Sequence, residues 1–156
     1  MTAPSRTTTT IAELPGLTGQ VLGTSDWLEV PQERVDTFAD ATGDHQWIHV
    51  DVERARAESP FGGPIAHGYL TLSLAPSLTA QILEVTGFRT VVNYGLDRVR
   101  FPSPVPVGSR VRASAVLEEA RLLDGGALHL RTVVTLEVDG AEKPCCVATV
   151  LSRRYL

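Results

Sequence analysis

The sequence predicts an α+β fold in which an antiparallel sheet wraps around one long apolar helix. Residues 68–85 are apolar on nearly all sides, which indicates a buried helix. From Val91 onward apolar and polar residues alternate, which indicates strands, and helices followed by strands are typical of the α+β class. The length of 156 residues corresponds to one domain. Residues 1–12 are polar and threonine-rich, so we expect a poorly ordered tail followed by a single domain over residues 13–156.

The segment before the long helix predicts two short helices. Pro31 suits the first turn of a helix, and Gly43 can adopt the positive φ that ends one. We expect a loop over residues 44–50. Asp51 is then placed to cap a second helix, which covers residues 52–58.

Single prolines and glycines indicate a kink in the long helix and turns between the strands that follow it. Pro76 must kink the helix or remove one of its hydrogen bonds. Glycines at 125–126 and at 140 indicate hairpin turns, because glycine accepts positive φ without strain. The predicted result is an antiparallel meander of four strands, over residues 91–101, 109–121, 127–138 and 144–153.

Composition excludes several classes of function. With 18 acidic and 14 basic residues the net charge is −4, so we expect no nucleic-acid partner. No apolar run reaches the roughly 18–20 residues of a membrane span, and the N-terminus lacks the apolar stretch of a secretion signal. Cys145 and Cys146 are adjacent, so a disulfide between them would be strained. We therefore expect a cytoplasmic protein that does not enter a membrane.

Asp44 and His49 form the densest chemical cluster. A carboxylate and an imidazole five residues apart in a loop can converge on one water molecule, and histidine exchanges a proton near neutral pH. The pair is therefore a candidate for general acid–base catalysis. The alternative is structural: Asp44 as a turn residue and His49 as a buried histidine with its hydrogen bonds satisfied.

A metal site is a competing interpretation of the same region. His45 and His49 are four residues apart, and Asp44, Asp51 and His67 could add ligands. The zinc-helix signature requires glutamate directly after the first histidine, and Gln46 stands there instead. We therefore expect no metal.

Gly68 opens the apolar helix. Backbone N–H groups at a helix start lack intrahelical partners, and a glycine lets a ligand oxygen come close, so Gly68 could stabilise an oxyanion. It could equally serve only the turn, and His67 could be a packing residue or a reactive one. Ser73 and Ser77 have no local base and no G-x-S-x-G motif is present, which favours activation of water over a covalent intermediate.

Three stretches, residues 41–51, 63–74 and 93–105, carry a family resemblance. They read ATGDHQWIHVD, GPIAHGYLTLSL and NYGLDRVRFPSPV. On these motifs the chain resembles the MaoC-like dehydratases and (R)-specific enoyl-CoA hydratases, more closely their nodulation protein N-like branch. The resemblance implies the hotdog fold, a sheet around one central helix. It also implies Asp44 and His49 as the catalytic pair and the N–H of Gly68 as the oxyanion donor.

The activity that the resemblance implies is reversible hydration of trans-2-enoyl-CoA to (R)-3-hydroxyacyl-CoA. No cofactor is implied, since the coenzyme A thioester is the substrate, and two copies of the fold are expected to pair as a homodimer. Gln46-Trp47 replaces the Asn-Pro that the family often has, and Pro76 stands where some members carry a serine.

The sequence leaves the exact function and the contacts to coenzyme A open. An acyl-CoA thioesterase or a non-catalytic module that binds acyl thioesters is the alternative function on the same fold. We assign none of Arg98, Arg100 and Arg110 to the coenzyme A phosphates, because arginines on a strand face are usually only solvated.

Overall fold

The computed structural model describes residues 3–155. They form eight strands and five α-helices, with one 3-10 turn at Leu14–Leu17. In chain order the elements are β1 (Thr7–Thr10), β2 (Val21–Thr24), β3 (Leu28–Glu29), α1 (Gln32–Thr42), α2 (Trp47–Val50), α3 (Val52–Glu58), α4 (Gly68–Ser73), α5 (Ala75–Ile82), β4 (Leu83–Thr86), β5 (Thr90–Arg100), β6 (Arg110–Leu122), β7 (Leu128–Val138) and β8 (Pro144–Tyr155).

The main sheet has six strands in the order β2-β6-β7-β8-β5, with β3 beside β6 as well. All of its pairings are antiparallel, and the four predicted strands are confirmed within two residues of their predicted ends. Gly125, Gly126 and Gly140 have positive φ in the hairpin turns, as expected. The predicted meander holds only for β6, β7 and β8. Strand β5 instead crosses to the far side of the sheet and pairs with β8.

The helix predicted over residues 68–85 is shorter and interrupted. It consists of α4 and α5, which meet at Leu74, and Pro76 lies in the first turn of α5, where its missing N–H costs least. The helix ends at Ile82, and β4 follows where a helix was expected. The alternation of Leu83-Glu84-Val85-Thr86 suits a strand, and the backbone of this segment pairs with β1.

The prediction of a poorly ordered tail over residues 1–12 is wrong for its central part. Thr7–Thr10 form β1, which pairs in parallel with β4, and Ser5 bridges to Thr24. Threonine is β-branched and suits a strand. The partner strand lies 76 residues away in the sequence, so no local pattern could indicate it. Met1 and Thr2 lie outside the described residues.

The core lies between the α4–α5 helix and the concave face of the sheet. Leu78 and Ile82 of α5 are fully buried with Leu117, Leu130 and Leu136 of the sheet, which confirms the predicted α+β arrangement. Cys145 and Cys146 are both buried and free in β8. Burial raises the pKa of the Cys145 thiol to about 12 and that of Cys146 to about 11, so both stay protonated and serve packing.

One edge of the sheet is apolar and uncovered. Strand β5 carries exposed side chains that include Val91, Val92, Tyr94 and Leu96. An edge strand also presents unpaired backbone groups, so this edge is suited to pairing with another strand. No helix within residues 3–155 is long and apolar enough to cross a bilayer.

Candidate active site

The turn after α1 brings Asp44 to the site. Gly43 ends α1 with φ of 78°, and its N–H donates to the carbonyl of Ala39 at 2.8 Å, as the sequence predicts. The expected loop over residues 44–50 contains the short helix α2, which carries His49. Asp44 precedes that helix. Two residues five apart on one helix would lie about 140° apart around its axis, but Asp44 lies outside α2, so the two side chains can meet.

His49 is buried and has a defined tautomer. Its Nδ1 lies 2.6 Å from the carbonyl oxygen of Ile65, and a carbonyl only accepts, so Nδ1 carries the proton. The Nε2 atom is then left with a free lone pair. Gln32 holds the backbone in place by donating from its side-chain amide to the carbonyl of His49 at 2.7 Å. Burial lowers the pKa of His49 below its ordinary value of 6.5, so the imidazole is neutral near pH 7.

His67 belongs to the site, although the sequence left its role open. Its ring stacks on that of His49 with centroids 3.8 Å apart, and Phe38 lies 5.0 Å away on another side. Its Nε2 donates to the backbone carbonyl of Asp44 at 2.9 Å. Its Nδ1 is buried with no hydrogen-bond partner among residues 3–155. His67 therefore ties the Asp44 turn and the His49 ring to the start of α4.

The same three residues form the one candidate metal cluster that the described residues contain. Potential ligand atoms of Asp44, His49 and His67 lie within 4.8 Å of one another. The two imidazoles are only 28° from parallel, so their in-plane lone pairs do not converge within the roughly 2 Å of a metal–nitrogen bond. The other predicted ligands lie elsewhere. His45 pairs with Asp40 at 2.9 Å, and Asp51 caps α3 by accepting from the N–H of Arg54 at 3.0 Å.

Gly68 is the first residue of α4, directly after His67. Its N–H has no partner within the helix because of that position. A Cβ atom at Gly68 would lie 3.2 Å from the ring of Phe101, which is tighter than most real contacts. The site therefore needs glycine for close packing. The same lack of a side chain leaves the N–H open to a ligand oxygen.

The serines of the helix are not nucleophiles here. Ser73 donates to the carbonyl of Tyr69 at 2.7 Å, and Ser77 donates to that of Leu74 at 2.9 Å. Both hydroxyls thus bond back to their own helix, and neither has a histidine partner within the described chain. The arrangement offers acid–base groups for a water molecule, without a group that would form an acyl-enzyme.

A large cavity opens beside the α4–α5 helix. Its volume is about 680 Å³, and it lies between this helix and the concave faces of β5, β7 and β8. Leu72 and Pro76 line it on the helix side, and Leu96 and Val134 line it on the sheet side. Leu72 is one turn beyond Gly68, so this end of the cavity lies near the start of α4, and its largely apolar lining can receive an apolar chain.

Comparisons with known proteins give consistent results. The chain is 51% identical over 148 residues to 3-hydroxyacyl-thioester dehydratase Z of Mycobacterium tuberculosis, covering 95% of this chain and 97% of that protein. It is 48% identical over 139 residues to nodulation protein N of Rhizobium leguminosarum bv. viciae, covering 88% of this chain and 86% of that protein.

Solved structures agree in fold. A monoamine oxidase regulatory protein from Archaeoglobus fulgius superposes with a TM-score of 0.73 at 26% identity, over 89% of this chain and 91% of that one. An (R)-hydratase from A. caviae involved in PHA biosynthesis superposes with a TM-score of 0.66 at 25% identity, over 86% and 94%. The sheet wrapped around a central helix is the predicted hotdog fold. The model of the MaoC-like domain matches residues 13–138. The chain therefore belongs to the MaoC-like domain family.

Proposed function

We propose that this protein is a hydro-lyase that adds water reversibly to a trans-2-enoyl thioester, with Asp44 and His49 as the catalytic pair. The observation that carries the proposal is the state of His49. It is buried and neutral, its Nδ1 donates to the carbonyl of Ile65, and one of its ring nitrogens lies within 4.8 Å of a carboxylate oxygen of Asp44. This is the arrangement that a general base for water needs.

In the hydration direction one water molecule binds between Asp44 and His49. The pair takes a proton from that water as its oxygen forms a bond to the β-carbon of the substrate, and the pair delivers a proton to the α-carbon. The product is a 3-hydroxyacyl thioester, and dehydration is the same path in reverse. Two coupled groups titrate as one unit, so we assign the two proton transfers to the pair and not to its separate members.

Gly68 is proposed to stabilise the charge that develops on the substrate. As water attacks the β-carbon, negative charge moves to the thioester oxygen, and the N–H of Gly68 at the start of α4 can donate to it. Phe101 closes the space in which a side chain at Gly68 would stand. Rigid packing at this position keeps the donor in place before the reaction.

The relatives support the reaction class and the product configuration. The relative at 51% identity is named a 3-hydroxyacyl-thioester dehydratase, and a structural neighbour is an (R)-hydratase. We infer an (R)-3-hydroxyacyl thioester as product and coenzyme A as a carrier of the acyl group. A thioesterase is the second candidate on this fold, and a module that only binds acyl thioesters is the third.

A homodimer paired through β5 is part of the proposal. This strand is the open edge of the sheet, and its apolar side chains are exposed. Residues of β5 also line the cavity beside α4 and α5, so a second copy paired there would extend the sheet next to the cavity.

The experiment follows two signals from crotonyl-CoA. Loss of the ultraviolet absorbance of the conjugated enoyl thioester reports hydration, and free thiol detected with a disulfide dye reports thioester hydrolysis. We expect the first signal without the second. Asp44→Asn and His49→Gln should each reduce turnover by about 10²–10⁴-fold while the protein remains folded.

His45→Gln is the matched control, because His45 is exposed and its Nε2 pairs with Asp40 at 2.9 Å. Its turnover should stay near that of the wild type. Thiol release as the main signal would favour the thioesterase. Absence of both signals over several chain lengths would favour the binding module.

A further inference from the structure

The far end of the large cavity is charged. Along most of its length the cavity is lined by apolar residues of the α4–α5 helix and the sheet. At the end remote from Gly68 its lining includes Asn93, Ser152 and Arg154. Asn93 pairs with Ser152 across β5 and β8, and Val91 pairs with Arg154 two residues further along. These three polar side chains therefore form one patch on neighbouring strands.

Arg154 has no anionic partner in the described chain. Its Nε is buried without a hydrogen-bond partner, and no carboxylate of residues 3–155 forms an ion pair with it. Its Cζ atom lies 5.8 Å from the centre of the Phe88 ring. Burial of the guanidinium also lowers the pKa of Arg154. An unpaired, desolvated cation is costly unless a ligand supplies the anion.

The neighbouring charges do not neutralise this end. Glu84 also lines the cavity, but it pairs with Arg6 at 3.0 Å. The adjacent Arg153 points to the other face of β8 by strand alternation and does not line the cavity. Its Nε is also buried without a hydrogen-bond partner among residues 3–155, and its guanidinium lies 3.5 Å from the centre of the Tyr94 ring. The positive charge at the cavity end therefore comes from Arg154.

The length of the cavity sets what can reach Arg154 from the dyad. The helix residues that line it extend from Leu72 to Ala80, and Leu83 follows at the start of β4. The helical stretch from Leu72 to Ala80 corresponds to about 12 Å at 1.5 Å per residue, and Leu83 continues the lining beyond it. A medium to long acyl chain spans such a distance.

We propose that the acyl group bound by this enzyme carries a carboxylate at its distal end, which pairs with Arg154. The inference rests on the proposed function, since it takes the thioester end to lie at Gly68. Arginine suits the role because its planar guanidinium can donate two parallel hydrogen bonds to one carboxylate. Asn93 and Ser152 can donate to the same group. The same chemistry could come from a free fatty acid bound in the reverse direction, and the experiment separates the two sources.

The test compares two thioesters of equal length, trans-2-dodecenoyl-CoA and its ω-carboxylated counterpart, with the wild type and two variants. Arg154→Met keeps an unbranched side chain and removes the charge and the hydrogen-bond donors. Arg153→Met is the matched control on the other face of the strand. We expect the wild type to prefer the ω-carboxylated substrate in kcat/KM by about 10- to 100-fold, the scale of a hydrogen bond to a charged group. Arg154→Met should lose that preference, Arg154→Lys should retain part of it, and Arg153→Met should keep it.

Several results would overturn the proposal. One is equal kcat/KM for both substrates in the wild type, and another is a preference that survives in Arg154→Met. Inhibition by free dodecanoate that depends on Arg154, without preference for the ω-carboxylated thioester, would assign the cation to a fatty acid instead. Failure of the wild type to hydrate either substrate would contradict the proposed function. Binding of the two thioesters, measured by calorimetry, would then still decide the role of Arg154.

Discussion

Replacing His67 by alanine tests how the site is held together. The ring is 2% exposed, stacks on His49 at 3.8 Å, and donates to the carbonyl of Asp44 at 2.9 Å. The hydrogen bond and the ring contact each stabilise the folded state by about 1 kcal/mol, and removal of the ring leaves a void. We expect a loss of about 2–4 kcal/mol in the free energy of unfolding. For a chain of this length that lowers the melting temperature by about 5–15 °C.

The activity of the His67→Ala variant should fall by more than its stability explains. Without the bond to its carbonyl, Asp44 moves relative to His49, and misplacement of a catalytic group by about 1 Å can cost about 10²-fold in rate. The pKa of His49 should also rise. Water gains access to its ring, and the repulsion from His67, which lowers this pKa, is removed. The acidic limb of the kcat/KM profile should therefore move to higher pH.

The assay is the pH dependence of enoyl-thioester hydration, measured at a temperature where every variant is folded. His67→Leu keeps the space filled, so it should regain part of the stability and still show the loss of activity. His45→Ala, which changes an exposed histidine beside Asp44, should alter neither quantity. Wild-type kcat/KM and an unmoved acidic limb in His67→Leu would refute a positioning role for His67.

Three further predictions concern the dyad, the helix start and the sheet edge. The pKa of His49 lies below 6.5 in the folded state, so the unfolded chain binds more protons than the folded chain just below that pH. The free energy of unfolding should therefore fall as the pH drops below 6.5. Urea titrations of His49→Gln should show a weaker dependence of this free energy on pH. Gly68→Ala places a methyl group 3.2 Å from the ring of Phe101 and should lower kcat/KM at least tenfold with a small change in melting temperature. Adding Phe101→Leu should restore part of the rate. If the effects of the two changes were simply additive, contact between the methyl group and the ring would be excluded as the cause. Val92→Lys on the exposed edge of β5 should convert a dimer to a monomer in sedimentation velocity, and an unchanged sedimentation coefficient would place the interface elsewhere.

Local signals predicted those parts of the fold that depend on neighbouring residues. The positive φ of Gly43, the Asp51 cap and the strand alternation of β6 and β7 all act within a few residues, and each is confirmed. The position of β5 beside β8, at the far edge of the sheet, depends on contacts between distant segments, and so does the pairing of β1 with β4. The end of the helix at Ile82 was missed because apolar residues continue through Val85, and only the alternation after Ile82 distinguishes a strand.

In the candidate site too, neighbouring residues predicted one part of the arrangement, and contacts between distant segments determine the rest. The spacing of Asp44 and His49 indicated a pair that could meet, and the structure brings them together although α2 replaces the expected loop. The part played by His67 could not be predicted, because its partner Asp44 lies 23 residues earlier and the stacking on His49 arises only in the folded chain. The unpaired charge of Arg154 is likewise visible only once the cavity has formed.

The fate of solvent oxygen tests the proposed hydration by Asp44 and His49 most sharply. The wild type, Asp44→Asn and His49→Gln are each incubated with a trans-2-enoyl-CoA in oxygen-18 water, and the products are analysed by mass spectrometry. We predict that the wild type places the label in the hydroxyl group at the β-carbon of an (R)-3-hydroxyacyl thioester, and that either substitution slows its appearance by about 10²–10⁴-fold. Label in a released carboxylate, or incorporation at the wild-type rate in either variant, would contradict this prediction.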